Sequence, residues 1–187
     1  MFDFMRKLLI SITALAVLGV AVSSYALWQH YAPLGAAFCN FSETFSCDIV
    51  NQSAFSEVFG IPVALIGILG YAGIGVLAMV AYKTISPPFS KGEREGVRVQ
   101  TNRGWGIHSI LRWLLAASLG GLVFSLCLTY IEIVWIGAYC PICIVSQVLI
   151  LAIAALATIA FRCSRRVPTH DDGTHGGTMS VRSQSVR

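Results

Sequence analysis

Charge is scarce in this chain. Only 12% of its 187 residues are Asp, Glu, Lys or Arg, while 56% are hydrophobic; a water-soluble domain carries about 25% charge. With a mean hydropathy of +0.72, that shortage excludes a soluble globular domain. A second absence is local: all 13 basic residues fall within 6–7, 83–112 or 162–187, so residues 29–59 and 134–140 contain no Lys or Arg. The basic residues are not clustered with aromatics, so the net charge of +4 bears on membrane topology and excludes nucleic-acid binding. The apolar stretches hold no Lys or Arg and no clear acidic pair, which argues against an ion path. Glu132, near a span boundary, is the nearest candidate and reads as an interfacial residue. No internal repeat occurs, and nothing resembles a flavin or nicotinamide site.

What is present are long apolar runs. Crossing a hydrocarbon core of about 30 Å takes about 20 apolar residues per helix, and residues 8–28, 60–82, 113–133 and 141–161 qualify. A cleaved signal peptide is a poor account of the first run, because its apolar core exceeds the usual ~7 to 15 residues and Ala26-Leu27-Trp28 is a poor cleavage site. The expected fold is an all-α integral membrane protein, a four-transmembrane-helix bundle in a single domain over residues 1–166. Lys and Arg stay on the cytoplasmic side, so both termini are expected there, with 29–59 and 134–140 outside.

The outer segment 29–59 is longer than a bare connection. Within it, DIVNQSAFSEVF (48–59) places Val50, Ala54 and Val58 on one stripe beside Phe55 and Phe59, predicting a short amphipathic horizontal helix that caps the bundle. The loop 83–112, with Pro87-Pro88 and KGEREGVR, has the composition of a solvated linker. Residues 167–187 read as a disordered cytoplasmic tail, whose His170 and His175 are too few to hold a metal. Gly67, Gly70, Gly73, Gly75, Gly120 and Gly121 read as close-packing positions between helices in lipid.

Four of the six cysteines form two pairs on the outer face, where oxidising conditions let disulfides persist. Cys140-Pro141-Ile142-Cys143 opens the last span. Pro141 suits a first helical turn, which puts Cys140 near the N-cap, where free backbone N–H groups and the helix dipole stabilise the thiolate that attacks in disulfide exchange. So short a loop gains little from a static cross-link, so redox cycling is the favoured reading over a staple. Cys39 and Cys47 enclose NFSETFS, a polar loop that a partner protein could approach. They form a second dithiol, or else a loop staple. Two dithiols on one face suggest a relay. Four thiolates could alternatively hold zinc, but the gap between Cys39 and Cys47 is loose for such a site, and no metal is expected. Cys127 and Cys163 read as packing residues. The electrons need an acceptor, and the membrane supplies quinones; Phe55, Phe59, Tyr130, Trp135 and Tyr139 could line an apolar pocket beside Cys143, although interfacial anchoring explains each one singly.

These residues resemble the vitamin K epoxide reductase family in its bacterial branch. The resemblance rests on Cys39 and Cys47, Ser53 six residues on, FGIPVALIGILGY (59–71), and then Cys140-Pro141-Ile142-Cys143, in that order. It covers about 8–161. The other quinone-coupled disulfide-generating membrane family has the reverse order of cysteine pairs. The resemblance implies a four-helix bundle around a quinone, either ubiquinone or menaquinone (vitamin K), in the inner membrane of a bacterium. It assigns Cys143 to the quinone, Cys140 as its partner, Cys47 as the loop cysteine exchanging with Cys140, and Cys39 as the one nearest the protein substrate. By the same carry-over Ser53 hydrogen-bonds near the quinone; Phe55, Phe59 and Tyr139, from their place near the outer span ends, are its expected apolar neighbours. Many bacterial members carry a fused thioredoxin-like domain; only 26 residues follow Phe161 here, so the expected partner is a separate thioredoxin-fold dithiol protein (DsbA-like) outside the cytoplasm. The tyrosine that vertebrate members place four residues after the second active-site cysteine is Gln147, which argues against vitamin K epoxide as substrate and against strong coumarin sensitivity. Two alternatives use the same residues: epoxide or quinone reduction as a metabolic end, and a non-enzymatic membrane scaffold with structural disulfides.

Overall fold

The computed structural model describes residues 2–33, 35, 37–40, 46–85 and 106–165. Most of the 83–112 linker and the 167–187 tail, with His170 and His175, lie outside the described residues. In chain order the helices are α1 (Phe2–Tyr31), α2 (Cys47–Asn51), α3 (Val63–Ile85), α4 (Ile107–Ile131) and α5 (Pro141–Arg165). Four of them are long and apolar enough to cross a membrane, over Asp3–Tyr31, Val63–Ile85, Ile107–Ile136 and Pro141–Arg165. A continuous helix answers every backbone donor and acceptor internally, which is what a lipid environment demands. The four-span expectation holds, although α1, α4 and α5 each run several residues past the apolar windows and α3 begins three residues later.

Around the bundle α1 packs on α3 and α5, and α4 packs on the same two. Small residues set the α1–α3 seam. A methyl group on Gly19 would come within 2.4 Å of the Tyr71 ring, one on Gly67 within 2.9 Å of the Ser23 hydroxyl, and one on Gly75 within 3.4 Å of the Ala16 methyl. On the α4–α5 seam, Gly121 sits against Ile150. The packing expectation fits these positions but not Gly70, Gly73 and Gly120, where a methyl would meet nothing within 4 Å. Leu9, Ile12, Ile74, Leu111, Leu114 and Ile153 fill the core of one half of the bundle, and a second, smaller cluster centred on Cys39, Cys47 and Cys140 closes the other end.

The horizontal helix is much shorter than the periodicity predicts. Only Cys47–Asn51 is α-helical, followed by a 3-10 turn over Ala54–Ser56 and a two-stranded hairpin, β1 (Glu57–Val58) against β2 (Ile61–Pro62). Hydroxyl side chains end the helix by competing for its backbone: Ser53 donates to the Val50 carbonyl at 2.8 Å and Ser56 to the Ser53 carbonyl at 2.7 Å. The hairpin turns on Phe59 and Gly60, both at positive φ (55° and 78°), as a two-residue turn between right-twisted strands requires.

The Gly19–Tyr71 approach yields a paired prediction. Gly19→Ala forces the ring aside and lowers stability by about 1–3 kcal/mol, the usual range for overpacking. Gly73→Ala, which has free space, leaves stability unchanged or raises it by up to about 1 kcal/mol. Thermal melts of the two variants in detergent check both.

Candidate functional site

The second cysteine pair sits where α4 has been deliberately prolonged past its regular end. After Ile131 the backbone forms a π turn (Glu132–Ile136), a widened helix often found at functional positions. Gly137, at φ 68°, then reverses the chain, its N–H bonding the Glu132 carbonyl at 2.9 Å. Four residues on, Pro141 opens α5. Cys140 caps that helix as expected: its sulfur accepts the Cys143 backbone N–H at 3.2 Å, and its carbonyl accepts the Ile144 N–H at 3.1 Å. A thiolate at this sulfur is met by a backbone donor and the positive helix end.

The other pair is brought to it by a latched loop. Ser46 caps α2, accepting the Ile49 N–H, while its own N–H bonds the Tyr139 carbonyl at 3.2 Å. The buried Asp48 carboxylate accepts from the Gly35 N–H at 2.6 Å and the Asn40 amide at 2.7 Å, and the Asn40 carbonyl accepts from the Ser46 hydroxyl at 2.9 Å. Cys39 and Cys47 are joined as a disulfide, whereas Cys140 and Cys143 are free thiols. The Cys140 sulfur lies 3.9 Å from the Cys47 sulfur, across 93 residues of sequence. Disulfide exchange needs a sulfur aimed at one member of a disulfide, and this contact provides it, with Cys39 as the sulfur that departs when Cys140 attacks Cys47. Gln29, fully buried, donates to Cys39 at 3.5 Å and to the Tyr25 hydroxyl at 3.0 Å, while its carbonyl accepts from Asn51 at 3.0 Å. That amide is placed to stabilise charge at Cys39. The polar loop suggested accessible sulfurs, but Cys39 is 1% exposed and Cys47 fully buried, so a protein reaching Cys39 must first move the loop.

Beside the sulfurs lies a cavity of about 390 Å³ running into the bundle between α1, α3, α4 and α5. Ile66, Ile74, Phe124, Leu128 and Ile150 make its walls apolar; Gly70 and Gly120 widen it; Cys143, Ser53, Asn51, His30 and Glu132 supply its polar atoms. Volume and lining suit a flat apolar ring with a few polar atoms, so the residues present fit a quinone. Of the sequence candidates, Cys143, Ser53 and Phe55 line the cavity. Phe59 does not: it is wholly exposed at the hairpin tip, because the turn needs positive φ there. Tyr139 also lies off the cavity, its carbonyl engaged by Ser46. Tyr130 and Trp135 point mostly outward, Trp135 packing on Phe55 at 6.0 Å between ring centroids. Cys127 is exposed on α4 and Cys163 is half-buried near the end of α5, remote from the relay.

Three polar residues escaped the sequence reading. Glu132, expected at the interface, is 6% exposed and lines the cavity together with Cys143, near enough to interact with the Cys143 thiol. Gln29 holds Cys39. His30 faces the Asn51 carbonyl at 2.7 Å and Glu57 at 3.2 Å. A signal existed in that each is a polar residue at the end of an apolar run. Gln147 is turned away from the cavity, its carbonyl accepting from Ser125 and Thr129.

Residues 10–158 match the profile of the vitamin K epoxide reductase family. The chain belongs to that family. Its members are membrane oxidoreductases that couple thiols to quinones, and this chain has four helices long and apolar enough to cross a membrane and four cysteines at one end of them.

The sulfur contact makes a direct prediction. In the Cys39→Ser, Cys143→Ser double variant, Cys47 and Cys140 remain 3.9 Å apart and close into a disulfide under mild oxidation. Peptide mass spectrometry should find that cross-link in most molecules, and its absence would show that the two pairs do not exchange.

Proposed function

We propose that this protein is a quinone-dependent thiol oxidoreductase that makes disulfides in a separate thioredoxin-fold partner outside the cytoplasm. The observation that carries the reading is the line of sulfurs from Cys39 through Cys47 and Cys140 to Cys143, of which only the last opens onto the apolar cavity. Orientation is argued from charge. Arg6, Lys7, Lys83, Arg112, Arg162 and Arg165 gather at the bundle end opposite the cysteines, and 29–59 and 134–140 have none. By the positive-inside rule the termini are cytoplasmic and the cysteine end faces out. We place the protein in a bacterial inner membrane on the same family grounds.

In the proposed cycle a partner thiolate attacks Cys39, breaking the Cys39–Cys47 bond and forming a mixed disulfide. The partner's second thiol resolves it, so the partner leaves oxidised and Cys39 and Cys47 are left as thiols. Cys47 attacks Cys140 of an oxidised Cys140–Cys143 pair and frees Cys143; Cys39 then attacks Cys47, restoring the Cys39–Cys47 disulfide and releasing Cys140. Gln29 holds the Cys39 sulfur through these exchanges, and the Cys143 N–H holds that of Cys140. A quinone bound in the cavity supplies the terminal two-electron oxidant. Ser53, Asn51, Phe55, Ile66 and Cys143 line the cavity that would hold it. Since about 30 mV corresponds to about 1.4 kcal/mol for two electrons, an acceptor well above the dithiols in potential drives the chain one way.

The test uses purified protein, a reduced thioredoxin-fold substrate and a soluble quinone. Wild type should form quinol, and Cys143→Ala should not; equal rates end the reading. Gly70→Leu, which fills cavity space where a methyl meets nothing within 4 Å, should raise the quinone KM about tenfold, roughly 1.4 kcal/mol of binding, with the melting temperature kept. Epoxide or quinone reduction as a metabolic end is separated genetically: losing the gene impairs secreted disulfide proteins only under the reading proposed here.

A further inference from the structure

A carboxyl group withdrawn from water inside a membrane bundle calls for an explanation, because the ionised form is costly there unless it is paired or used. Glu132 has no Lys or Arg partner among the described residues. What it has beside it is the Cys143 thiol, on the wall of the same cavity. It stands at the first residue of the π turn that leads to Cys140 and α5. Apart from Cys143, the cavity's other titratable side chains, Tyr71 and His30, and its Ser53 and Ser56 hydroxyls have partners of their own. Tyr71 donates to the Ser146 carbonyl at 2.8 Å, Ser53 and Ser56 donate to backbone carbonyls, and His30 sits between Asn51 and Glu57.

We infer that Glu132 is a catalytic proton carrier, taking the Cys143 proton and returning it within the cavity. The inference rests on the quinone-coupled reading above. Oxidising the Cys140 and Cys143 thiols breaks two S–H bonds, forms one S–S bond and yields two electrons and two protons, all taken by a quinone-class acceptor. Glu132 handles one proton: its carboxylate accepts it from Cys143, the sulfur keeps the electron pair, and the carboxylic acid gives the proton to the reduced acceptor and becomes carboxylate again. The second proton comes from the Cys140 thiol as the disulfide closes.

The test compares wild type with Glu132→Gln, nearly the same in shape, and Glu132→Asp, which keeps the carboxylate one methylene back. Glu132→Gln should form quinol at least about tenfold more slowly, within the ~10²–10⁴-fold reach of acid–base catalysis, and Glu132→Asp should recover part of the loss. A second measurement uses no quinone: the rate at which N-ethylmaleimide alkylates Cys143 at neutral pH, with Cys140 and Cys143 as thiols and the Cys39–Cys47 disulfide kept. Loss of a proton acceptor slows that reaction, whereas mere removal of a neighbouring negative charge favours the thiolate and speeds it. Slower alkylation in Glu132→Gln, with the Cys39–Cys47 disulfide and melting temperature intact, supports the assignment. Unchanged or faster alkylation, or an unchanged quinol rate, overturns it. Where Glu132→Gln does not fold, Glu132→Asp decides by the same two rates, both falling if the assignment holds. If wild type forms no quinol, the function proposed above fails, and the alkylation rates alone decide the role of Glu132.

Discussion

The contact between Cys140 and Cys47, 3.9 Å between sulfurs, is the constraint on which the remaining architecture depends. A thiol and a disulfide exchange only within van der Waals reach and along a suitable line, so a chain that puts the two partners 93 residues apart must fix both ends of the meeting. One end is fixed by helix physics: Cys140 is the cap of α5, and its sulfur is held by the Cys143 N–H. The other is fixed by a latch of Asp48, Asn40, Ser46 and Gly35. The Ser46–Tyr139 backbone bond joins the two directly. The latch does not depend on the Cys39–Cys47 bond, so the loop keeps polar anchors when that bond opens.

Cys143 marks a boundary in the molecule. Cys39, Cys47 and Cys140 lie in a packed cluster with Ala37, Val50, Ala138 and Ile142, whereas Cys143 reaches the cavity. In the proposed cycle, thiol exchange would run in the packed cluster and electron delivery at the cavity, with Cys143 bordering both. The three-residue spacing of the last pair matches one helical turn, so Cys140 and Cys143 stay within reach of each other while facing different surroundings.

Much of this was legible in the sequence because it depends on local rules. Hydropathy alone places the four spans, since lipid leaves the backbone no other solution. The Cys-Pro-Ile-Cys run at the head of α5 is a local signal too, because proline at the first turn and a cysteine cap are both properties of a helix start. The segment 48–59 was misread because apolar periodicity at Val50, Ala54 and Val58 is blind to the hydroxyls of Ser53 and Ser56, which capture the carbonyls a helix would use. Phe59 followed from that error: an aromatic that looks like a pocket wall on a helix becomes a hairpin tip when the turn takes φ 55°. Gln29 and Glu132 were beyond local reasoning, since their partners Cys39, Asn51 and Cys143 are brought to them by tertiary structure.

The placement of buried polar groups separates the working end of the bundle from the supporting end. Gln29, Ser46, Asp48 and Glu132 are all buried at the cysteine end, the first three bonded to another side chain or to a backbone N–H in a different segment. Away from that end the buried polar side chains among the described residues are serines: Ser23 against Gly67, Ser118, which bonds a carbonyl of its own helix, and Ser164, paired with His108. Stability alone gives no reason for the asymmetry, because a buried polar group at best recovers what its desolvation costs and an apolar residue of equal size would hold the helices as well. Networks of this kind are useful where geometry must be unique, since a satisfied donor and acceptor tolerate one arrangement and a methyl group tolerates many. The cysteine end needs such uniqueness for its sulfurs, and the opposite end needs only to keep four helices together.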